Sequence, residues 1–211
     1  MKSDDLPLPR RTAAASGLAV RPDVLVALFA ARVAEVDPDR AILVLRAASD
    51  VLTRRMREVH PAAVLRMTGL DFGRDASKSS RDELHTRVEG TLELPLAPEL
   101  DWWARAQLAA QVTVLARILA GEARKQKPVI DIAFQQPVAL VREPERHRGE
   151  VLRRWVTRCN ELAAAAQSER FPLQVTACEP PGEVTQTAVS VEEVRLSITL
   201  DGRIEALPSR P

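Results

Sequence analysis

Along this chain, stretches in which apolar residues alternate with polar ones are interleaved with stretches in which apolar residues recur at helical spacing. The first pattern has the period of a half-buried strand and the second that of an amphipathic helix. A chain that switches repeatedly between the two is expected to be α+β. Its sheet is mainly antiparallel, polar on one face, and covered by helices on the other. The cleanest strand is 87–94, where Val88, Gly90, Leu92 and Leu94 oppose Glu89, Thr91 and Glu93. Residues 64–72, 171–177 and 194–200 read the same way, with Asp201-Gly202 turning into Ile204. Residues 129–141 read as two strands or one bent strand, Pro137 marking the bend.

Two long helices stand out. The first covers 99–124, with Trp102, Leu108, Val112, Leu115 and Leu119 on one stripe. The second covers 145–167, opened by Pro144, with Val151, Leu152, Trp155, Val156, Cys159, Leu162, Ala163 and Ala166 inward. Both are expected to pack on one sheet, and Trp155, in mid-stripe, is expected to be buried. A shorter helix runs from Ser49 to 59 and stops at Pro61. Residues 24–36 fit a helical face through Leu25, Leu28, Phe29, Val33 and Val36. However, Asp37-Pro38-Asp39 follows as a turn signal, and 41–45 is a dense apolar run. A hairpin joins them most simply, so 24–36 is assigned as a strand.

With 211 residues, the chain suits a single domain over 21–205, between a polar tail at 1–20 and a short one at 206–211. Aromatic residues are 3% with no tyrosine, so the core is built from Ala, Val, Leu and Ile. Net charge is +1, which gives no global attraction to nucleic acid or an anionic membrane. No apolar run approaches the roughly 20 residues of a membrane span. Residues 1–17 lack the apolar centre of a signal peptide, so a cytoplasmic location is expected.

The order of elements resembles the SIMPL-domain (DUF541) family, whose members open with a strand, a Pro-Asp pair and an apolar strand. Val33-Ala34-Glu35-Val36-Asp37-Pro38-Asp39-Arg40-Ala41-Ile42-Leu43-Val44-Leu45 is similar to that opening. Residues 138–141, Glu143-Pro144-Glu145, the helix to Ala166 and 171–178 are similar to the family's later half. The resemblance spans about residues 24–204. It departs in the missing signal peptide, in the family's Gly-rich middle and in its Tyr-containing strand. It implies homo-oligomers and protein partners, and it supplies no catalytic residues.

Side chains that could carry chemistry are sparse. His147 has Glu143 and Glu150 at helical spacing, but no cofactor or metal set is assigned. His60 and His85 stand apart from it. Ser77, Ser79, Ser80 and Ser190 lack a nucleophile motif, and 8 glycines form no phosphate loop. Cys159 and Cys178 read as small buried hydrophobes. Arg142, Arg146, Arg148, Arg153, Arg154 and Arg158 load one helix, offset by Glu143, Glu145, Glu150 and Glu161. Trp102 and Trp103, about 100° apart on a helix, demand two apolar environments and are the interface candidates. These features lead to the expectation of a non-enzymatic assembly or adaptor protein, homo-oligomeric and without affinity for nucleic acid. Two alternatives are an enzyme with a site scattered over Arg, Glu and His, and a nucleic-acid-associated protein using the Arg-rich helix 142–158.

Overall fold

The structure is a computed structural model that describes residues 17–35, 37–74, 84–166, 173–178, 182–199 and 202–206. The elements in order are β1 (Leu18–Val20), β2 (Val24–Ala34), α1 (Pro38–Val59), β3 (Val64–Arg74), β4 (Leu84–Pro95) and α2 (Trp102–Ala123). They continue with β5 (Ile130–Phe134), β6 (Val138–Leu140), a 3-10 turn (Pro144–His147), α3 (Arg148–Ala166), β7 (Leu173–Cys178), β8 (Val184–Ala188), β9 (Val194–Ile198) and β10 (Gly202–Ala206). The α+β reading is thus the observed class, with antiparallel sheets. The chain divides into two compact units. One is Val20–Arg142 with Thr187–Val194, and the other is Met1–Ala19, Glu143–Gln186 and Arg195–Pro211.

In the first unit the sheet order is β3-β4-β2-β5, with β6 also on β2. Both strand-helix-strand passages, β2-α1-β3 and β4-α2-β5, leave a strand between their ends. This β-α-β-β-α-β arrangement is the split βαβ, or ferredoxin-like, topology. The helix-facing side of β2 presents Leu25, Ala27, Phe29, Ala31 and Val33, all buried. Leu52, Met56, Leu108, Val112 and Leu119 pack on one half of that side, and Ala41, Leu45 and Ala123 on the other. In the second unit α3 packs on β7, which pairs with β10.

Several sequence expectations change. Residues 41–45 are not a strand: α1 begins at Pro38 and runs for 22 residues, so the third helix is as long as α2. Asp37 is its N-cap, its side chain accepting from the Asp39 N–H at 3.0 Å, and Pro38 fills the first turn. The hairpin on which the SIMPL resemblance leaned is therefore a helix start. Leu18–Val20, assigned to the tail, is a strand, and β8 is a strand not anticipated. It is α1, not α3, that shares a sheet with α2. Trp155 is half-buried rather than buried, and Val156 beside it is 48% exposed.

Glycine is required at Gly90. It lies opposite Phe29 in the β2–β4 register, and a Cβ built there would overlap the Phe29 ring and the Arg66 carbonyl. The most consequential buried group is Arg105, 1% exposed, on the core stripe of α2. Its Nε donates to the Leu100 carbonyl at 3.0 Å, Nη1 to Pro22 at 2.9 Å and Val191 at 3.3 Å, and Nη2 to Ala97 at 3.3 Å. Arg21 adds bonds to the carbonyls of Pro98 at 2.5 Å and Leu100 at 2.7 Å, and to Glu192 at 2.9 Å. Burial, and then the like charge of Arg21, pull Arg105 below the ordinary guanidinium range, while Glu192 pulls it back up.

Two stability measurements follow. Arg105→Met strips donors from several carbonyls at once and is expected to cost about 3 kcal/mol or more in urea unfolding. A loss below about 1 kcal/mol would contradict the role given to Arg105. Thr86 is fully buried on β4 and its hydroxyl has no hydrogen-bond partner among the described residues. The isosteric Thr86→Val is therefore expected to be neutral or stabilising by up to about 1 kcal/mol, and a clear destabilisation would show an unrecognised bond.

Candidate ligand pocket

Strand β5 pairs with β2 over Val33 to Phe29, and β6 over Val26 to Val24. Between them, Gln135, Gln136 and Pro137 leave the ladder, returning one bond from the Gln135 N–H to the Leu28 carbonyl at 2.8 Å. Proline cannot donate to a ladder, so the departure is natural at Pro137. Opposite this gap α2 presents Val112, Thr113, Ala116, Arg117 and Ala120, and β2 presents Ala27. Three alanines where larger side chains would meet leave space. The result is a pocket of about 390 Å³ between α2 and the sheet edge, within the roughly 300–1,000 Å³ of small-molecule sites.

Its floor is apolar, formed by Ala27, Val112, Ala116 and the partly buried Phe134, which leans on Phe29 with centroids 5.9 Å apart. The polar groups lie to one side: the exposed Arg117 guanidinium, the Gln135 and Gln136 amides, and the Thr113 hydroxyl. Thr113 donates to the Ala109 carbonyl at 2.8 Å, which leaves its oxygen lone pairs available. Arg117 makes no hydrogen bond or ion pair with the described residues, whereas many arginines elsewhere are paired, as in Arg124–Asp131 at 2.9 Å and Arg66–Glu93 at 3.0 Å. Among the described residues no carboxylate lines the pocket. The arrangement offers one cation and several uncharged polar groups at the rim of an apolar hollow.

The residues singled out in the sequence lie elsewhere. Trp102 and Trp103 occupy the first positions of α2, ring against ring in an edge contact of 4.6 Å and 86°. They are 43% and 75% exposed, so neither joins the core. His60 ends α1, its N–H returning to the Met56 carbonyl at 2.9 Å, and His85 is buried in β4. His147 sits in the 3-10 turn. Among the described residues no three His, Cys, Asp or Glu side chains converge to hold a metal ion. Cys159 is half-buried and not in a disulfide. The side chain of Cys178 and residues Ser77, Ser79 and Ser80 lie outside the described residues.

The Arg-rich helix is laced by charge pairs with the glutamates that offset it in the sequence. Arg146 pairs with Glu143, Arg148 with Glu145 at 2.6 Å, Arg154 with Glu150 at 3.1 Å and Arg158 with Glu161 at 3.7 Å. Among the described residues no helix is long and apolar enough to cross a membrane. Sequence reasoning missed the pocket because alanines and a strand interruption leave no motif. Pro137 was the available signal.

No protein-family model matches the chain, and no curated protein does. Similar solved structures include a hydantoinase/carbamoylase family amidase from Burkholderia phymatum, 16% identical over 77% of this chain, with a TM-score of 0.35. Another such amidase, from Burkholderia ambifaria, is 14% identical over 64% of the chain with a TM-score of 0.32. A dinuclear metal-binding peptidase of the M20 family from Bacillus subtilis is 15% identical over 65%, with a TM-score of 0.26. The chain spans 34–40% of the length of these proteins. The expectation of a non-enzymatic assembly or adaptor protein is corrected on this finding, since the similar structures are hydrolases. Nothing of their chemistry is transferred at these scores.

One prediction belongs to the second unit. Glu145 accepts from Arg148 and from the Val184 N–H at 2.8 Å. The Arg148 bond first, and the Val184 bond second, hold its carboxyl below the ordinary carboxylate range. A depressed carboxyl stabilises above its unfolded pKa of about 4.3, and the effect fades as pH falls through the lower folded value. Glu145→Gln is therefore expected to melt below the parent at pH 7, with the gap closing below pH of about 4. An unchanged gap in acid would contradict the assignment.

Proposed function

We propose that the Val20–Arg142 unit is a binding domain for a small organic anion: one carboxylate joined to a compact aliphatic or aromatic group. The observation that carries this reading is Arg117, a cation with no partner among the described residues, on the rim of an apolar pocket of about 390 Å³. The carboxylate pairs with Arg117 and takes amide donors from Gln135 and Gln136, a charge-assisted contact of the stronger kind. The apolar group lies over Ala27, Val112, Ala116 and Phe134, where each buried methylene contributes about 0.8 kcal/mol. The same chemistry recognises the anion whether the protein turns it over or responds to it.

Calorimetric titration with phenylacetate and isovalerate tests the reading. Saturable binding is expected, with the neutral amides of the same acids binding at least tenfold more weakly. Arg117→Gln, on an exposed helix position, is expected to lose roughly ten- to a hundredfold in affinity, the value of a hydrogen bond to a charged group. Ala120→Leu is expected to block the pocket without unfolding the chain. Equal binding of acids and amides, or an Arg117→Gln variant that binds like the parent, would overturn the proposal.

A further inference from the structure

Strand β3 ends the sheet of the first unit, so the N–H and C=O groups on its outer side have no strand partner among the described residues. It is long for an edge, Val64–Arg74, and carries large apolar side chains: Met67 is 49% exposed, Leu70 52% and Phe72 46%. Beside it, a groove of about 490 Å³ runs between α1 and β3, lined by Ile42, Leu45, Arg46, Met67, Leu70 and Val88. A long apolar edge of this kind invites strand addition.

The register on β4 identifies the occupant. Met67 lies opposite Gly90 and Gly69 opposite Glu89, so Thr68 is an extra residue, a bulge. The bulge reverses the alternation along the strand. Leu65 and Met67 before it and Leu70 and Phe72 after it therefore share the helix-facing side, while Arg66, Gly69 and Asp71 share the other. In an antiparallel pair, directly opposed residues point to the same side. Two copies of β3 meeting about a two-fold axis between Thr68 and Gly69 satisfy this throughout. Met67 then opposes Leu70 of the second copy, Leu65 opposes Phe72, and Arg66 opposes Asp71 with the opposite charge. Each pair occurs twice, as a two-fold interface requires. Sliding the register by two residues either way separates Arg66 from Asp71 and leaves one apolar match in place of two, Leu65 with Leu70 or Met67 with Phe72. Asp71 has no partner within its own chain among the described residues, although Arg87 faces it across the ladder.

We infer that β3 pairs antiparallel with β3 of a second copy of this chain, in the register that sets Arg66 against Asp71, joining the two five-stranded sheets into one. The surface is distinct from the pocket under α2, so the two proposals stand or fall separately.

Light scattering on size-exclusion fractions of the full chain, across a concentration series, tests it. The expected mass is twice 23.3 kDa. Asp71→Arg, on an exposed side chain that leaves the Arg66–Glu93 pair intact, is expected to weaken dimerisation at least tenfold. The charge swap Arg66→Asp with Asp71→Arg is expected to restore the dimer. Circular dichroism melts establish that each variant is folded. A parent that is monomeric at every concentration would overturn the inference. So would a dimer indifferent to Asp71→Arg, a swap that folds but stays monomeric, or a dimer lost on Trp103→Ala instead.

Discussion

Arg105 holds the α2 end of the split βαβ unit together. A guanidinium taken out of water has a large desolvation cost, and in this protein carbonyl dipoles from separate segments compensate it. Pro22 precedes β2, Ala97 and Leu100 belong to the loop after β4, and Val191 comes from far along the chain. All are tied to one side chain in the first turns of α2. The Asp101 cap, accepting from the Ala104 N–H at 2.8 Å, starts the helix just before that knot. Where α2 begins and which face it turns to the sheet are thereby fixed at one end.

The pocket depends on that orientation. Arg105, Leu108, Val112, Ala116 and Leu119 form the buried stripe, and Thr113, Arg117 and Ala120 run along its border. Twelve residues separate Arg105 from Arg117, about 18 Å along the helix. The two arginines have opposite duties. One is satisfied by the chain and is structural. The other finds no partner among the described residues and is the cation of the proposed site. The ladder of β2 is interrupted opposite that second arginine, where Gln135–Pro137 step away from the strand.

Strands were legible where alternation runs unbroken, as in 87–94 on β4, because it is a local pattern with a single meaning. Helix α1 was not, because Asp37-Pro38-Asp39 serves equally as a turn and as a cap with a first-turn proline. The run at 41–45 is apolar without any period. Only the full set Ala41, Leu45, Leu52 and Met56 shows the helical face. Trp102 was placed on the core stripe for a different reason. Its bulk suggested burial, whereas the buried α2 stripe begins at Arg105, a residue that reads as polar and therefore as outward. The pocket was illegible because it is made of small side chains and a missing rung. The bulge at Thr68, which gives β3 its matched faces, lies inside a run that reads as unbroken strand.

The central claim is that Arg117 receives a carboxylate over the α2 pocket. It is tested most directly by following the side-chain Nε–H resonance of Arg117 by nuclear magnetic resonance during titration with phenylacetate. A saturable shift at Arg117, accompanied by the backbone N–H of Gln135 and Gln136 and absent with phenylacetamide, is the result expected. A titration that leaves Arg117 unmoved, or that moves it equally with the neutral amide, would contradict the account.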